Sequence, residues 1–144
     1  MNALDVADYI VEKTRNTKFP VTHMKLQKML YFAWIEYYRK YEKTLFSDEF
    51  YAWKYGPVVS DVYSKYCIFG ARKISFVRGR DERMLPSKEV ARFLDNYIES
   101  CQNVSAGDLV LRSHRPKGAW QSVYKEGQLM TKIPHQTIVK LECR

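Results

Sequence analysis

The chain has 144 residues, of which 46% are hydrophobic, 28% charged and 15% aromatic, with 11 tyrosines. That length and balance fit one domain able to bury its own core, and exclude a low-complexity chain or one built around a metal or disulfide staple. The net charge of +8 favours an acidic partner, either nucleic acid or an acidic protein.

Residues 3–14 predict a first helix. Ala3, Val6, Ala7 and Ile10 share one face at spacings of three and four, Leu4 and Val11 flank it, Asn2 is an N-cap and Asp5 sits in the first turn. Thr22 caps a second helix, roughly 23–42, in which Leu26, Met29, Leu30, Ala33, Tyr37 and Tyr41 form a stripe. Met24, Tyr31, Trp34, Ile35 and Tyr38 widen that stripe nearly all round, and a helix apolar on so many sides is the buried spine of a fold. Its polar surface reads as little more than Lys25, Gln27, Lys28, Glu36, Arg39 and Lys40. Residues 45–53 read as a turn and a short strand stopped by Gly56-Pro57. Ser60 can cap a helix to about Phe69, ended by Gly70. Residues 73–77, KISFV, alternate like a strand, with a turn at Gly79. Ser87 caps a helix over 88–101 with Val90, Phe93, Leu94, Tyr97 and Ile98 inward, and Ser105 with Asp108 resembles a capping box for a short helix to about Ser113. Short helices are expected at 118–125 and, opened by Pro134, at 134–142. The expected fold is mainly α (α+β): one compact helical domain over 1–144 around a central apolar helix, with a small β element.

The chemistry-bearing residues are sparse. Cys67, Cys101 and Cys143 are odd in number and far apart, so reduced thiols are expected, Cys67 as a buried inert one. His23, His114 and His135 have no neighbour at metal-ligand spacing, and no phosphate-cradling glycine loop or nucleophile motif occurs. Carboxylate pairs such as Asp48-Glu49 and Asp81-Glu82 fall in polar turns. No catalytic residue, metal or cofactor is therefore expected, and the chain is not read as an enzyme. The N-terminus, MNALDVADYIVEK, carries acids where a signal peptide needs bases, and no run of 18 apolar residues exists. A cytoplasmic protein with no membrane contact is expected.

The stretch FYAWKYGPVVSDVYSKY, residues 50–66, wraps six aromatic rings around a Gly-Pro pair. Such rings serve as a stacking platform, a pocket wall, a partner face or core. Gly56 permits backbone that other residues resist, and Pro57 sets the exit angle. Trp53 and Tyr63 are expected to pack on the spine helix, while Lys54 and Tyr55 are the exposed candidates for a partner. Tyr31, Trp34 and Tyr38 share a helix face that is core by default, with any surplus offered to a partner. Arg78 and Arg80 lie in the densest basic stretch, ARKISFVRGRDER. His114 is expected to make a buried hydrogen bond at a helix end. No zinc finger, aromatic RNA-binding strand or KH loop supports nucleic-acid binding, and a helix-turn-helix over 3–40 would have a long link and too apolar a second helix.

Three segments resemble one family in order and separation: MKLQKMLYFAWIEYY (24–38), FYAWKYGPVVSDVYSKY (50–66) and SHRPKGAW (113–120). The chain is similar to the Panacea domain family, which includes SocA-like antitoxins and GepA-type phage-associated proteins. The positions that carry the resemblance are Lys25, Leu26, Gln27, Lys28, Leu30, Tyr31 and Phe32, then Ala52, Trp53, Gly56, Pro57, Val58 and Tyr63, then Ser113, His114, Pro116 and Trp120. The late segment departs from the pattern, with a slightly longer spacing between His114 and Trp120. The resemblance implies an antitoxin that binds and blocks a cognate toxin encoded beside it, in some cases from a prophage, and in one variant an adaptor that presents the toxin to a protease. Some members carry an added DNA-binding domain, for which this chain is expected to leave no room. A nucleic-acid-associated phage or regulatory protein is the alternative, and the sequence sets no oligomeric state.

Overall fold

The computed structural model describes residues 1–77, 79 and 86–144. Helix α1 (Ala3–Thr14) opens with a reciprocal capping box: Asn2 Oδ1 accepts the Asp5 N–H at 2.9 Å, and the Asp5 carboxylate accepts the Asn2 N–H at 2.8 Å. The Ala3 N–H, another orphan donor of that first turn, is taken by Asp48 at 2.9 Å. Helix α2 (His23–Tyr41) starts at Thr22, whose hydroxyl accepts the Lys25 N–H, and ends at Glu42 in a left-handed conformation. Leu26, Met29, Leu30, Ala33 and Trp34 on α2 are at most 1% exposed, so this helix is the spine that the periodicity implies.

A hairpin follows. Strands β1 (Phe50–Trp53) and β2 (Gly56–Val58) pair antiparallel, with Trp53 opposite Gly56, so Lys54-Tyr55 forms the two-residue turn. Gly56-Pro57 therefore does not stop the β element; it begins the return strand. Proline is tolerated there because β2 is an edge of the sheet, in the order β2-β1-β3, where a missing N–H on the outer side breaks no ladder bond. Strand β3 (Lys132–Ile133) is too short to show alternation in the sequence.

Helix α3 (Ser60–Tyr66) runs into a 3-10 turn, Cys67–Phe69, ended by Gly70 at φ 57°. Ser60 is its first helical residue rather than its cap; Val59 holds the cap position without a side-chain hydrogen bond. The expected strand at 73–77 reduces to one bridge between Lys73 and Thr22, with the Ile74 N–H bonded to the Val21 carbonyl. With no further strand to pair with, the alternation there records the burial of Ile74 alone. Helix α4 (Lys88–Ser100) is capped by Ser87 and buries Val90, Phe93, Leu94, Tyr97 and Ile98. Helices α5 (Ala106–Ser113), α6 (Ala119–Val123) and α7 (His135–Glu142) complete the domain, α5 capped by the Ser105 hydroxyl on the Asp108 N–H. The protein is mainly α with a small antiparallel sheet, and one hydrophobic core draws on nearly every element.

Glu142, at the end of α7, locks the late segment to the core. Its carboxylate is 7% exposed, accepts the Ala119 N–H at 3.0 Å where α6 begins, and pairs with Arg115 Nε at 3.2 Å. Arg39 and Arg115 also donate to the carbonyls of Glu142 and Leu141, capping the C-terminal turn of α7 with positive charge. A Cβ on Gly118 would stand 2.7 Å from Glu142 Oε1, so only glycine lets the carboxylate approach. Replacing Glu142 by alanine orphans the Ala119 N–H and is expected to lower stability by about 1–3 kcal/mol in urea unfolding, with Glu142→Gln losing less because an acceptor remains.

Candidate partner-binding site

Two polar side chains of α2 organise the site from beneath. Gln27 Oε1 accepts the Val59 N–H at 2.9 Å, and its Nε2 donates to the Val59 carbonyl at 3.3 Å. A side-chain amide thus takes the place of a neighbouring strand where the hairpin turns into α3. Lys28 Nζ donates to the Pro57 carbonyl at 2.7 Å. Both side chains are 2% exposed, which corrects the expectation that they belong to the polar surface of the helix. Burial pulls the Lys28 ammonium down to a pKa of about 7.

Lys28 also explains Gly56. The glycine sits at φ +111°, and a Cβ there would lie 2.7 Å from Lys28 Cε and 2.6 Å from Ser113 Oγ. Conformation and space both demand glycine. Lys25, one turn earlier, donates to the carbonyl of Cys101 at 2.8 Å and ties α2 to the C-terminus of α4, while Leu26 is wholly buried.

The three segments are sewn together by indoles. Trp120 Nε1 donates to the Trp53 carbonyl at 2.7 Å, and Trp53 Nε1 donates to the Leu129 carbonyl at 2.7 Å. Trp53 meets Tyr63 edge-on at 4.9 Å between centroids, and Tyr63 leans on His23 of α2 at 5.3 Å. His114, the C-cap of α5, lies flat on Trp120 at 3.6 Å with an interplanar angle of 8°. Among the described residues its buried Nε2 has no hydrogen-bond partner, and in place of the expected buried hydrogen bond the ring stacks on Trp120. Burial, then the nearby Lys28 charge, lowers the pKa of His114, and the same two causes lower His23 to about 4.

Above this framework lies a cavity of about 570 Å³. Its walls include Trp53, Lys54 and Tyr55 of the hairpin, Tyr63 of α3, and His23 and Met24 from the start of α2. Tyr55 is 56% exposed and Leu129, across the cavity, 60%. Apolar surface this open and this concentrated around a recess marks a binding site more than a stray patch. Among the described residues no group of His, Cys, Asp and Glu could hold a metal ion. No described helix is long and apolar enough to cross a membrane.

The residues singled out in the sequence separate cleanly. Lys54 and Tyr55 stand exposed in the cavity wall. Tyr63, expected with Trp53 to pack on the spine helix, meets His23 of that helix, and both rings line the cavity. Tyr31 and Trp34 are 1% and 0% exposed, both edge-on to Phe50, and have no surface for a partner. Tyr38 is half-buried, stacked on Trp34. Arg78 and Arg80 lie outside the described residues. Cys67, expected buried, is exposed. Met24 and Leu129 were missed as wall residues: Met24 reads as stripe, and Leu129 comes from a polar loop with no periodicity.

Residues 26–121, which take in the three segments except Met24 and Lys25, match the family described as antitoxin SocA-like, Panacea domain, and the chain belongs to that family. A curated relative, "Antitoxin SocA" of Caulobacter vibrioides (strain NA1000 / CB15N), is 28% identical over 132 residues, covering 85% of this chain and 70% of the relative. No solved structure matches the chain.

Gly56→Ala is expected to cost about 2–4 kcal/mol in urea unfolding, the sum of a strained backbone and an overpacked contact with Lys28 and Ser113. Lys28 also sets a pH dependence. Its folded pKa of about 7 lies below the ordinary 10.5, so between those values the unfolded chain binds more protons. Stability therefore rises with pH through that window, by up to about 1.4 kcal/mol per pH unit from this group, and below the window the full cost of burying the ammonium is present. Wild type should gain stability relative to Lys28→Met from pH 7 to pH 9 by that rule; an unchanged offset between the two would mean that the folded protein keeps a charged ammonium.

Proposed function

We propose that this protein is the antitoxin of a toxin–antitoxin pair and neutralises a protein toxin, encoded beside it, by direct contact through the aromatic cavity. Membership of the SocA-like family supports the antitoxin role. The observation that carries the contact surface is convergence: the helix, hairpin and late segments that define the family meet through Gln27, Lys28 and Trp120, and together they support a recess lined by Trp53, Tyr55 and Tyr63. Aromatic side chains with two rotatable bonds lose little entropy on contact and dominate interface energetics. The protein acts by binding and not by catalysis, in the cytoplasm. Its net charge of +8 speeds encounter with an acidic toxin, mainly through the association rate.

The test is co-expression with the products of neighbouring genes. One product should arrest growth alone, be tolerated beside this protein, and copurify with it in a complex that survives nuclease. Replacing Lys54 and Tyr55 together by alanine should weaken that complex about tenfold or more while leaving the fold intact, because both side chains are exposed. Equal rescue in a protease-deficient host is expected of simple blocking; loss of rescue there would instead indicate delivery of the toxin to a protease. Recovery of nucleic acid with no protein partner would overturn the antitoxin reading.

A further inference from the structure

The aromatic cavity does not end at its own walls. A second cavity of about 360 Å³ shares Thr22 and Ala106 with it, and a third of about 260 Å³ shares Lys73 with the second. The three adjoin through these shared residues from the hairpin turn, past the N-termini of α2 and α5, to the turn that follows α3, and are taken together as one groove. At one end the wall is apolar, with Trp53, Tyr55, Tyr63, Met24 and Leu129. Further along it carries Lys25, Lys73 and Arg72.

The charge of this groove is one-sided. The chain has 16 Asp and Glu residues, yet none of the described residues lining any of the three cavities is acidic. Lys54, Arg72 and Lys73 are exposed, and none of them takes part in an ion pair among the described residues. Exposed cations lining a concave, low-dielectric surface focus a positive field onto whatever lies in it.

Nucleic acid would also answer a positive field, but the geometry disfavours it. The rings at the cavity meet at 66° and 47°, so they enclose a recess and present no parallel platform on which bases stack. Lys25, Lys28 and Arg72 already donate to main-chain carbonyls, which leaves Lys54 and Lys73 among the described lining cations, too few to track a phosphate backbone. A recess of about 570 Å³ suits a large apolar side chain.

Resting on the antitoxin reading above, we propose that the groove recognises one extended, acidic segment of the toxin: a bulky apolar side chain sits in the recess walled by Trp53, Tyr55 and Tyr63, and neighbouring carboxylates face Lys54 and Lys73. The apolar anchor supplies residence time, and the carboxylates supply register and exclude basic segments.

The experiment is selection of a displayed library of random peptides, about twelve residues long, on the immobilised full-length protein. Counterselection uses Ala106→Trp, which fills the junction shared by the first two cavities. Peptides that survive should pair Trp, Phe, Leu or Ile with flanking Asp and Glu. Synthesised with a fluorescent label, they should bind at roughly 0.15 M salt and lose about tenfold or more in affinity to the double variant Lys54→Glu/Lys73→Glu. That variant alters exposed side chains and should melt like wild type. No enrichment, enrichment of Lys- and Arg-rich peptides, indifference to charge reversal, or tighter binding of an oligodeoxythymidine of similar length would each overturn the proposal. The charge-reversed variant then goes through the growth assay. If it loses the peptides yet still neutralises, the groove proposal falls and the antitoxin reading stands. If the peptide selectivity holds but no neighbouring product is toxic, the groove chemistry stands and the antitoxin reading falls.

Discussion

The structure depends on two polar side chains buried on an otherwise apolar helix. Where the hairpin leaves β2, the Val59 N–H has no strand beside it, and a buried unpaired amide costs on the order of 1–3 kcal/mol. Gln27 Oε1 accepts that N–H, and Gln27 Nε2 adds a second donor to the Val59 carbonyl, which already accepts the Tyr63 N–H. Lys28 answers the Pro57 carbonyl, although burying its ammonium is unfavourable enough to draw its pKa to about 7. Because Lys28 lies directly beneath the turn, position 56 can hold only glycine. A helix, a turn and a strand register thus follow from two adjacent residues of α2.

The rest of the site is built outward from that tie. The hairpin presents the Trp53 carbonyl to Trp120 and the Trp53 indole to the loop at Leu129. Glu142 in turn holds the start of the helix that carries Trp120. Polar groups are not all satisfied along the way: among the described residues His114 Nε2 and Tyr31 Oη are buried without partners, and Tyr97 Oη has only the weakly bonding Cys101 thiol beside it. In each case the ring is held by flat or edge-on aromatic contact, with Trp120 for His114, Phe50 for Tyr31 and Phe93 for Tyr97. Aromatic packing offsets the lost hydrogen bonds and keeps the two phenols protonated, their pKa values raised by burial.

This division of labour suits a binding protein. Polar ties and stacked rings make the framework rigid, so the exposed rings at the recess are presented without a large ordering cost. On the proposed antitoxin reading, a recess already walled by aromatic rings and edged by the exposed Lys54 meets its partner at little ordering cost. On that reading Lys54 can tune specificity without disturbing the Gln27 and Lys28 ties beneath it.

Long amphipathic helices were legible because ten or more residues sample the 3.6-residue period several times, as in α1, α2 and α4. Their caps were legible too, because Asn2, Thr22, Ser87 and Ser105 act within three residues of themselves. Strands of two to four residues carry too little pattern, so β2 and β3 went unread and the segment at 73–77 was taken for a strand. The site was half legible: Lys54, Tyr55 and the Gly-Pro turn stood out. Nothing local told the buried rings of Tyr31 and Trp34 from the open rings of Tyr55 and Tyr63, since tyrosine and tryptophan serve core and interface equally well. By itself the sequence determined the helical architecture, the central helix and the family segments, because those are written in local periodicity and short motifs. Only the tertiary structure decided which aromatics remain open, that Gln27 and Lys28 turn inward, and that cations from three separate stretches border one groove, because burial and charge neighbourhood are set by residues distant in the chain.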